Sequence, residues 1–209
     1  MTRRVVLATR NPGKVGELRR ILADAGVDVE LVGADAFPAM PDVSETGATF
    51  AANALLKARA MAAHSGLPAI ADDSGLCVDA LSGMPGVLSA RWAGRHGDDE
   101  ANLDLVLAQL AEVPDERRGA HFFCAAALAM PPGPHGDPGQ CRVVEGEVDG
   151  ILTRERRGTG GFGYDPIFLP YGSALTTAEL DPAAKDAISH RGQAFRALVP
   201  VMAALLASD

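Results

Sequence analysis

The chain has 209 residues, 47% apolar and 22% charged, which excludes a mostly disordered protein and gives enough core for one domain, residues 1–209. Lys and Arg number 19 against 27 Asp and Glu; the net charge of −8 repels a polyanion and argues against a nucleic-acid partner. Its 23 glycines and 14 prolines exceed the average usage of roughly 7% and 5%, so turns are too frequent for a plain helix bundle.

The basic start Arg3-Arg4 is followed by an apolar run only from Val5 to Ala8, too short for the core of a signal peptide. That run reads as a buried strand, stopping at Thr9-Arg10-Asn11-Pro12-Gly13-Lys14. A helix follows, with Asn11 as N-cap, Pro12 at its first position and Val15, Leu18, Leu22 and Ala25 on one face. Gly26 ends it, and Val27 to Val32 predicts a second strand. From Thr49 a long helix runs to about Ser65 with Phe50, Ala54, Ala58 and Met61 as its stripe, stopped by Gly66 and Pro68. Pro68 to Ala71 predicts a strand that ends in Asp72-Asp73-Ser74-Gly75, with extended structure resuming from Leu76 to Leu81.

Asp98 is expected to cap a third helix carrying Leu103, Leu107 and Leu110. His121 to Met130 and Arg142 to Val148 read as an antiparallel pair, joined by a mobile Pro- and Gly-rich connection through Pro131 to Gln140. Gly158 to Pro166 is a glycine-rich loop, Asp181-Pro182 opens a short helix, and Ser189 caps the last one. Ala194, Leu198, Val201 and Leu205 should face inward on that helix, with a kink at Pro200. Strands alternate with helices early and pair with each other late, which predicts a mixed α/β sheet. The longest uninterrupted apolar stretch, Phe122 to Met130, cannot span a bilayer, so a soluble cytoplasmic protein with no membrane partner is expected. Cys77, Cys124 and Cys141 form no CxxC pair and read as small hydrophobes of a reducing cytosol.

Charge placement points to a site. Lys14 falls in the first turn of one helix and His190-Arg191 in the first turn of another, where the helix dipole disfavours cations. An anion in front of both helices, such as a phosphate near Asn11, Gly13 and Ser189, resolves the anomaly; the alternative is that the basic side chains bend into water. Asp72 and Asp73 at a strand end are suited to magnesium ligation and proton acceptance, provided the backbone turns at Gly75 so that both face one pocket. Glu45 is placed to complete a metal site, against the alternative of an ordinary acid before a helix. Asn53 and Lys57 share a helix face, and Lys57 is the only basic residue between Thr49 and Ala58, a partner for a carboxylate or phosphate.

Gly158-Thr159-Gly160-Gly161-Phe162-Gly163 fits GxGxxG, but a turn and a strand follow where a dinucleotide-binding helix should begin. What remains is a glycine loop presenting Phe162 as a stacking surface and Asp165 beside it.

Six segments together resemble the inosine/xanthosine triphosphate pyrophosphatase family, over about Val5 to Leu206. They are Thr9-x-Asn11-x-x-Lys14, Glu45-Thr46-Gly47, Phe50-x-x-Asn53-Ala54-x-x-Lys57-Ala58, Ala71-Asp72-Asp73-Ser74-Gly75-Leu76, Gly160-Gly161-Phe162-Gly163-Tyr164-Asp165-Pro166 and Lys185-x-x-x-Ser189-His190-Arg191. The resemblance implies a long curved mixed sheet with flanking helices, two lobes around a central active cleft, a homodimer and dependence on Mg2+. It also implies cleavage of deaminated purine nucleoside triphosphates (ITP, dITP, XTP) to monophosphate and pyrophosphate. By position, it makes Asp73 the proton acceptor and a metal ligand, with Glu45 and Asp72 supporting the metal. Thr9, Arg10, Asn11, Pro12, Gly13, Lys14 and Lys57 would hold phosphates, and Ser74 would touch substrate. Phe162 would stack on the base, with Gly163, Tyr164, Asp165, Lys185, Ser189, His190 and Arg191 lining the nucleotide.

On this reading Asp73 takes a proton from the water that attacks the α-phosphorus. Lys185 and Arg191 would donate to the 6-oxygen of hypoxanthine or xanthine, which adenine's amino group cannot accept. The alternatives are a pyrophosphatase for other modified nucleotides and a nucleotide-binding regulator without turnover.

Overall fold

The computed structural model describes residues 3–26, 29–133 and 138–207. Six strands form one mixed sheet in the order β2-β1-β3-β4-β5-β6, flanked by five helices among the described residues. The strands are β1 (Arg3–Leu7), β2 (Val29–Gly33), β3 (Ala69–Val78), β4 (Gly119–Ala129), β5 (Cys141–Leu152) and β6 (Phe168–Pro170). The helices are α1 (Pro12–Asp24), α2 (Phe50–Ser65), α3 (Asp99–Gln109), α4 (Pro182–Ile188) and α5 (His190–Ala207). β1 runs parallel to β2, with Val5 opposite Leu31, and parallel to β3, with Leu7 opposite Ile70. β5 and β6 are antiparallel, with Ile151 opposite Leu169. β1 and β3 are joined through helices, as parallel neighbours require. None of the described helices is long and apolar enough to cross a membrane.

The chain divides into two compact units. The first comprises Met1–Asp73, Cys124–Gly146 and Arg191–Asp209. Its core takes one face of the strands (Val5 and Leu7; Cys124, Ala126 and Leu128) against helical stripes from α1 and α5. Leu18, Ile21 and Leu22 come from α1, and Ala194, Phe195, Leu198, Met202, Leu205 and Leu206 from α5. α5 includes Pro200 and extends to Ala207. α2 packs against β1 and buries the predicted Phe50, Ala54, Ala58 and Met61, together with Asn53 and Ala62. Its N-cap is Thr49, whose hydroxyl accepts from the Ala52 N–H at 3.1 Å.

The second unit comprises Ser74–Phe123 and Glu147–His190. Leu103, Val106 and Leu110 of α3 pack with Leu76, Val78, Phe122, Leu152, Ile167 and Phe168. Leu107, expected inward, is only partly buried, because Val106 takes its place on the stripe. Residues 158–164 contain no helix and lead through a short turn at Asp165–Ile167 into β6, so the GxGxxG match has no dinucleotide-binding context.

One expectation fails in an informative way. The strand predicted to end at Asp72 continues as β3 through Asp73, Ser74 and Gly75 to Val78. Apolar residues on both sides of the acidic pair are buried, so the sheet carries the carboxylates inside it. Gly75 serves close packing instead of a turn: a Cβ there would lie 2.3 Å from Ser89 Oγ and 2.5 Å from the Gly86 carbonyl oxygen. The second strand is Val29–Gly33, and the start predicted at Val27 and Asp28 lies outside the described residues. Residues 134–137 of the predicted Pro131 to Gln140 connection lie outside them as well.

Candidate active site

Asp72 and Asp73 are consecutive residues of an unbroken strand, so their side chains leave on opposite faces. Asp72 shares its face with Ile70, which belongs to the core made with α1 and α5. Lys14 of α1 reaches its Oδ2 with Nζ at 2.8 Å, and Arg191 of α5 donates from Nε at 3.3 Å. Arg191 also donates from its guanidinium to the Glu17 carboxylate. The negative group expected in front of two cation-bearing helix starts is therefore, in this structure, a carboxylate of the chain itself. Burial opposes ionising Asp72, but Lys14, Arg191 and Lys57 outweigh it and hold its carboxyl well below the usual range. Burial likewise works against the Arg191 charge, and Glu17 and Asp72 more than compensate, raising its pKa.

Asp73 meets α2. Asn53 Nδ2 donates to its Oδ2 at 3.1 Å, and Lys57 Nζ donates to its Oδ1 at 3.0 Å. The same ammonium reaches Glu45 Oε1 at 2.7 Å, so one charge clamps two carboxylates from different segments. Burial pushes the Asp73 pKa above the ordinary range; Lys57 pulls it down and Glu45 pushes it back up, leaving a net rise. Burial disfavours the Lys57 charge, but Asp73, Asp72 and Glu45 overcome this and raise its pKa. Neighbouring carboxylates are thus driven in opposite directions by their surroundings, the pattern that separates a proton acceptor from a permanently ionised group.

The loop between β1 and α1 is self-capped. Asn11 Oδ1 accepts from the Gly13 and Lys14 N–H groups at 2.9 and 3.3 Å, and Thr9 Oγ1 accepts from Asn11 N at 3.2 Å. Pro12 opens the helix, and Arg10 reaches Asp42 and the Met40 carbonyl.

The second unit holds a separate group. Asp165, buried, accepts on Oδ2 from the Phe162 N–H at 2.8 Å and from Lys185 Nζ at 2.6 Å, and on Oδ1 from the Thr177 hydroxyl at 2.8 Å. The Lys185 ammonium lies 5.1 Å from the Phe162 ring centroid, in cation–π range. Gly163 N–H donates to Asp99 at 2.9 Å. Tyr164 is buried in the unit's core, its hydroxyl donating to the Ser89 carbonyl at 2.9 Å. His190 stacks on Phe122 at 4.8 Å and 11°. Ser189 is buried at the end of α4, where its N–H donates to the Lys185 carbonyl at 2.8 Å. Ser74 is half-buried.

Glu17 and Thr177 have no role in the sequence reading, and Asn53 enters it only by sharing a helix face and a segment with Lys57. Glu17 was detectable as an acid one turn after Lys14, and Asn53 as the residue one turn before Lys57. Thr177 gave no signal, because its tie to Asp165 depends on how the chain folds back after β6.

Glu45, Asp72 and Asp73 do not converge as a triad. Among the described residues, the group of three metal-capable side chains that does converge is His121, Glu147 and Asp149, exposed or half-exposed on β4 and β5. The cause is strand alternation, which turns Asp72 toward Lys14 and Arg191. Glu45 and Asp73 do fit magnesium, since their oxygens already meet at one cationic centre, Lys57 Nζ. Mg2+ is commonly held by one or two carboxylates with substrate phosphates and waters completing its shell.

Residues 5–201 match the Ham1 family. A dITP/XTP pyrophosphatase of Streptomyces coelicolor is 66% identical over 203 residues, covering 97% of this chain and 98% of its own. A solved nucleoside-triphosphatase / dITP/XTP pyrophosphatase from Mycobacterium abscessus is 55% identical with a TM-score of 0.74, covering 95% of this chain and 99% of its own. A HAM1 protein from Coxiella burnetii is 42% identical with a TM-score of 0.83, covering 97% and 99%.

Proposed function

The chain belongs to the Ham1 family, and from that premise we propose that it hydrolyses dITP and XTP, with ITP, to the monophosphate and pyrophosphate. The observation that carries the mechanism is Asp73: a buried carboxylate with a raised pKa, held by a neutral amide on one oxygen and by an ammonium on the other. Such a group is more basic than an ordinary aspartate, as a proton acceptor requires.

Asp73 takes the proton of the water that attacks the α-phosphorus. Glu45 and Asp73 would hold magnesium, which when bound supplies positive charge to the phosphates and to the departing pyrophosphate. Lys57 adds a positive charge beside both carboxylates. The segment from Thr9 through Arg10, Asn11, Pro12 and Gly13 to Lys14 receives phosphate oxygens, with Lys14 held in place by Asp72. Asp72 stays ionised and fixes Lys14 and Arg191 instead of moving a proton.

Phe162 stacks on the base, and Lys185, oriented by Asp165, donates to the 6-oxygen of hypoxanthine or xanthine. Adenine offers an amino group there, leaving that donor unpaired, a mismatch that discriminates strongly. Ser74, Gly163, Ser189 and His190 complete the nucleotide contacts. Arg191, expected to read the base, is engaged by Glu17 and Asp72 and is assigned to anchoring. The working protein is a cytoplasmic homodimer, which sedimentation tests directly. The test of the reaction is pyrophosphate release from dITP, XTP, dGTP and dATP, with and without Mg2+. Fast release from the first two only, dependent on Mg2+, supports the reading, and equal release from all four contradicts it.

A further inference from the structure

We propose that Asn53 is a positioning residue for the proton acceptor, one that holds Asp73 and the Glu45 loop in a fixed relation. The proposal rests on the pyrophosphatase reading above. Asn53 is fully buried on α2, one turn before Lys57. Its carboxamide is used at both ends: Nδ2 donates to Asp73 Oδ2 at 3.1 Å, and Oδ1 accepts from the Gly47 N–H at 2.7 Å. Gly47 lies two residues after Glu45, so a single side chain ties the loop carrying one carboxylate to the other carboxylate.

The approach is tight. A Cβ on Gly47 would fall 2.7 Å from Asn53 Oδ1 and 2.7 Å from Ala52 Cβ, so the loop can dock on the amide only with glycine there. The consequence for Asp73 is a difference between its two oxygens. Oδ2 is fixed by a neutral donor that does not titrate, while Oδ1 faces Lys57, which Glu45 shares. Asn53 therefore sets the plane of the carboxylate and turns Oδ1 toward Lys57 and Glu45. Displacing a reacting group by about 1 Å typically costs ~10²-fold, so this restraint bears on turnover and not on nucleotide affinity.

The test compares Asn53→Asp and Asn53→Ser with the native chain. Asn53→Asp keeps the acceptor for Gly47 but replaces the donor by a carboxylate facing Asp73. Asn53→Ser is smaller and uncharged and keeps one hydroxyl donor, so it reports even if the aspartate variant does not fold. For each folded variant, kcat and KM on dITP are measured at saturating Mg2+, with the affinity for the product deoxyinosine monophosphate read by calorimetry. The expected result is a fall in kcat of ~10–100-fold, with KM and product affinity within about threefold of native. A rise in KM and loss of product affinity with kcat preserved would overturn the proposal, as would native kcat in a folded variant. If the native chain itself releases no pyrophosphate from dITP, the function is refuted, and that outcome is read before any variant is made.

Discussion

The two faces of β3 carry the same functional group one residue apart and treat it in opposite ways. Asp72 lies among α1 and α5 with Lys14 and Arg191 on one oxygen, and it remains a carboxylate far below the usual pKa range. Asp73 lies against α2 with an amide on one oxygen and a shared ammonium on the other, and its pKa is raised. Lys14 and Arg191, both on one oxygen, make the first a fixed anchor. One cation divided between two acids leaves the second able to accept a proton. Sequence adjacency conceals the difference, and strand alternation produces it.

The largest expected effect breaks the anchor side. Asp72→Asn leaves Lys14 and Arg191 without their common buried counter-charge, and breaking a buried pair costs about 3–5 kcal/mol. At roughly 2–4 °C per kcal/mol for a chain of this size, the melting temperature should fall by about 6–20 °C, read by calorimetry. A fall of less than about 2 °C would show that Asp72 anchors nothing.

A second pair of substitutions sharpens the comparison by separating anchoring from base reading. Arg191→Met should resemble Asp72→Asn in melting temperature, because it removes the buried guanidinium shared by Glu17 and Asp72. It should leave the ratio of dITP to dATP turnover unchanged. Lys185→Met should shrink that ratio by about tenfold, the size expected when a donor to the 6-oxygen is lost. The kcat/KM values on the two substrates decide it; a narrowed ratio in Arg191→Met would restore a base-reading role to that side chain.

The helices and their caps were legible because they depend on local chemistry: Asn11, Thr49, Asp98 and Asp181 all cap the helices that their positions suggest. The stripe on α2 was readable for the same reason, since periodicity is local. The course of β3 was not. Two acids and a glycine carry the local signature of a strand end, and only partners brought from α1, α2 and α5 make them tolerable inside a sheet. The cation anomaly at Lys14 and Arg191 correctly signalled a negative partner. Its identity was hidden, because Asp72 is 58 residues from one and 119 from the other.

A smaller effect follows from pH. A carboxyl with a depressed folded pKa contributes stability above its unfolded pKa of about 3.9 and loses it only as pH falls through the lower folded value. Asp72 should therefore support the fold undiminished from pH 7 to about 4. Asp73 has the opposite sign: with its folded pKa raised, protonation favours the folded state as pH falls through that value. Turnover should consequently decline as pH falls through the Asp73 pKa while the melting temperature holds or rises slightly, and Asp73→Asn should remove the Asp73 contribution to that rise. Parallel loss of turnover and melting temperature above pH 5 would contradict the split.

The assignment of the two faces is tested most directly by Asp73→Asn, with kcat on dITP, melting temperature and nucleotide binding measured on one preparation. The amide matches the carboxylate in size but accepts no proton and is a poorer magnesium ligand. General-base catalysis typically contributes ~10²–10⁴-fold, so kcat should fall by at least that order. The melting temperature should stay close to native and nucleotide should still bind, with excess Mg2+ restoring only part of the rate. Full recovery at high Mg2+ would make Asp73 a ligand only, and an unchanged kcat would contradict the assignment of the proton acceptor to this face of β3.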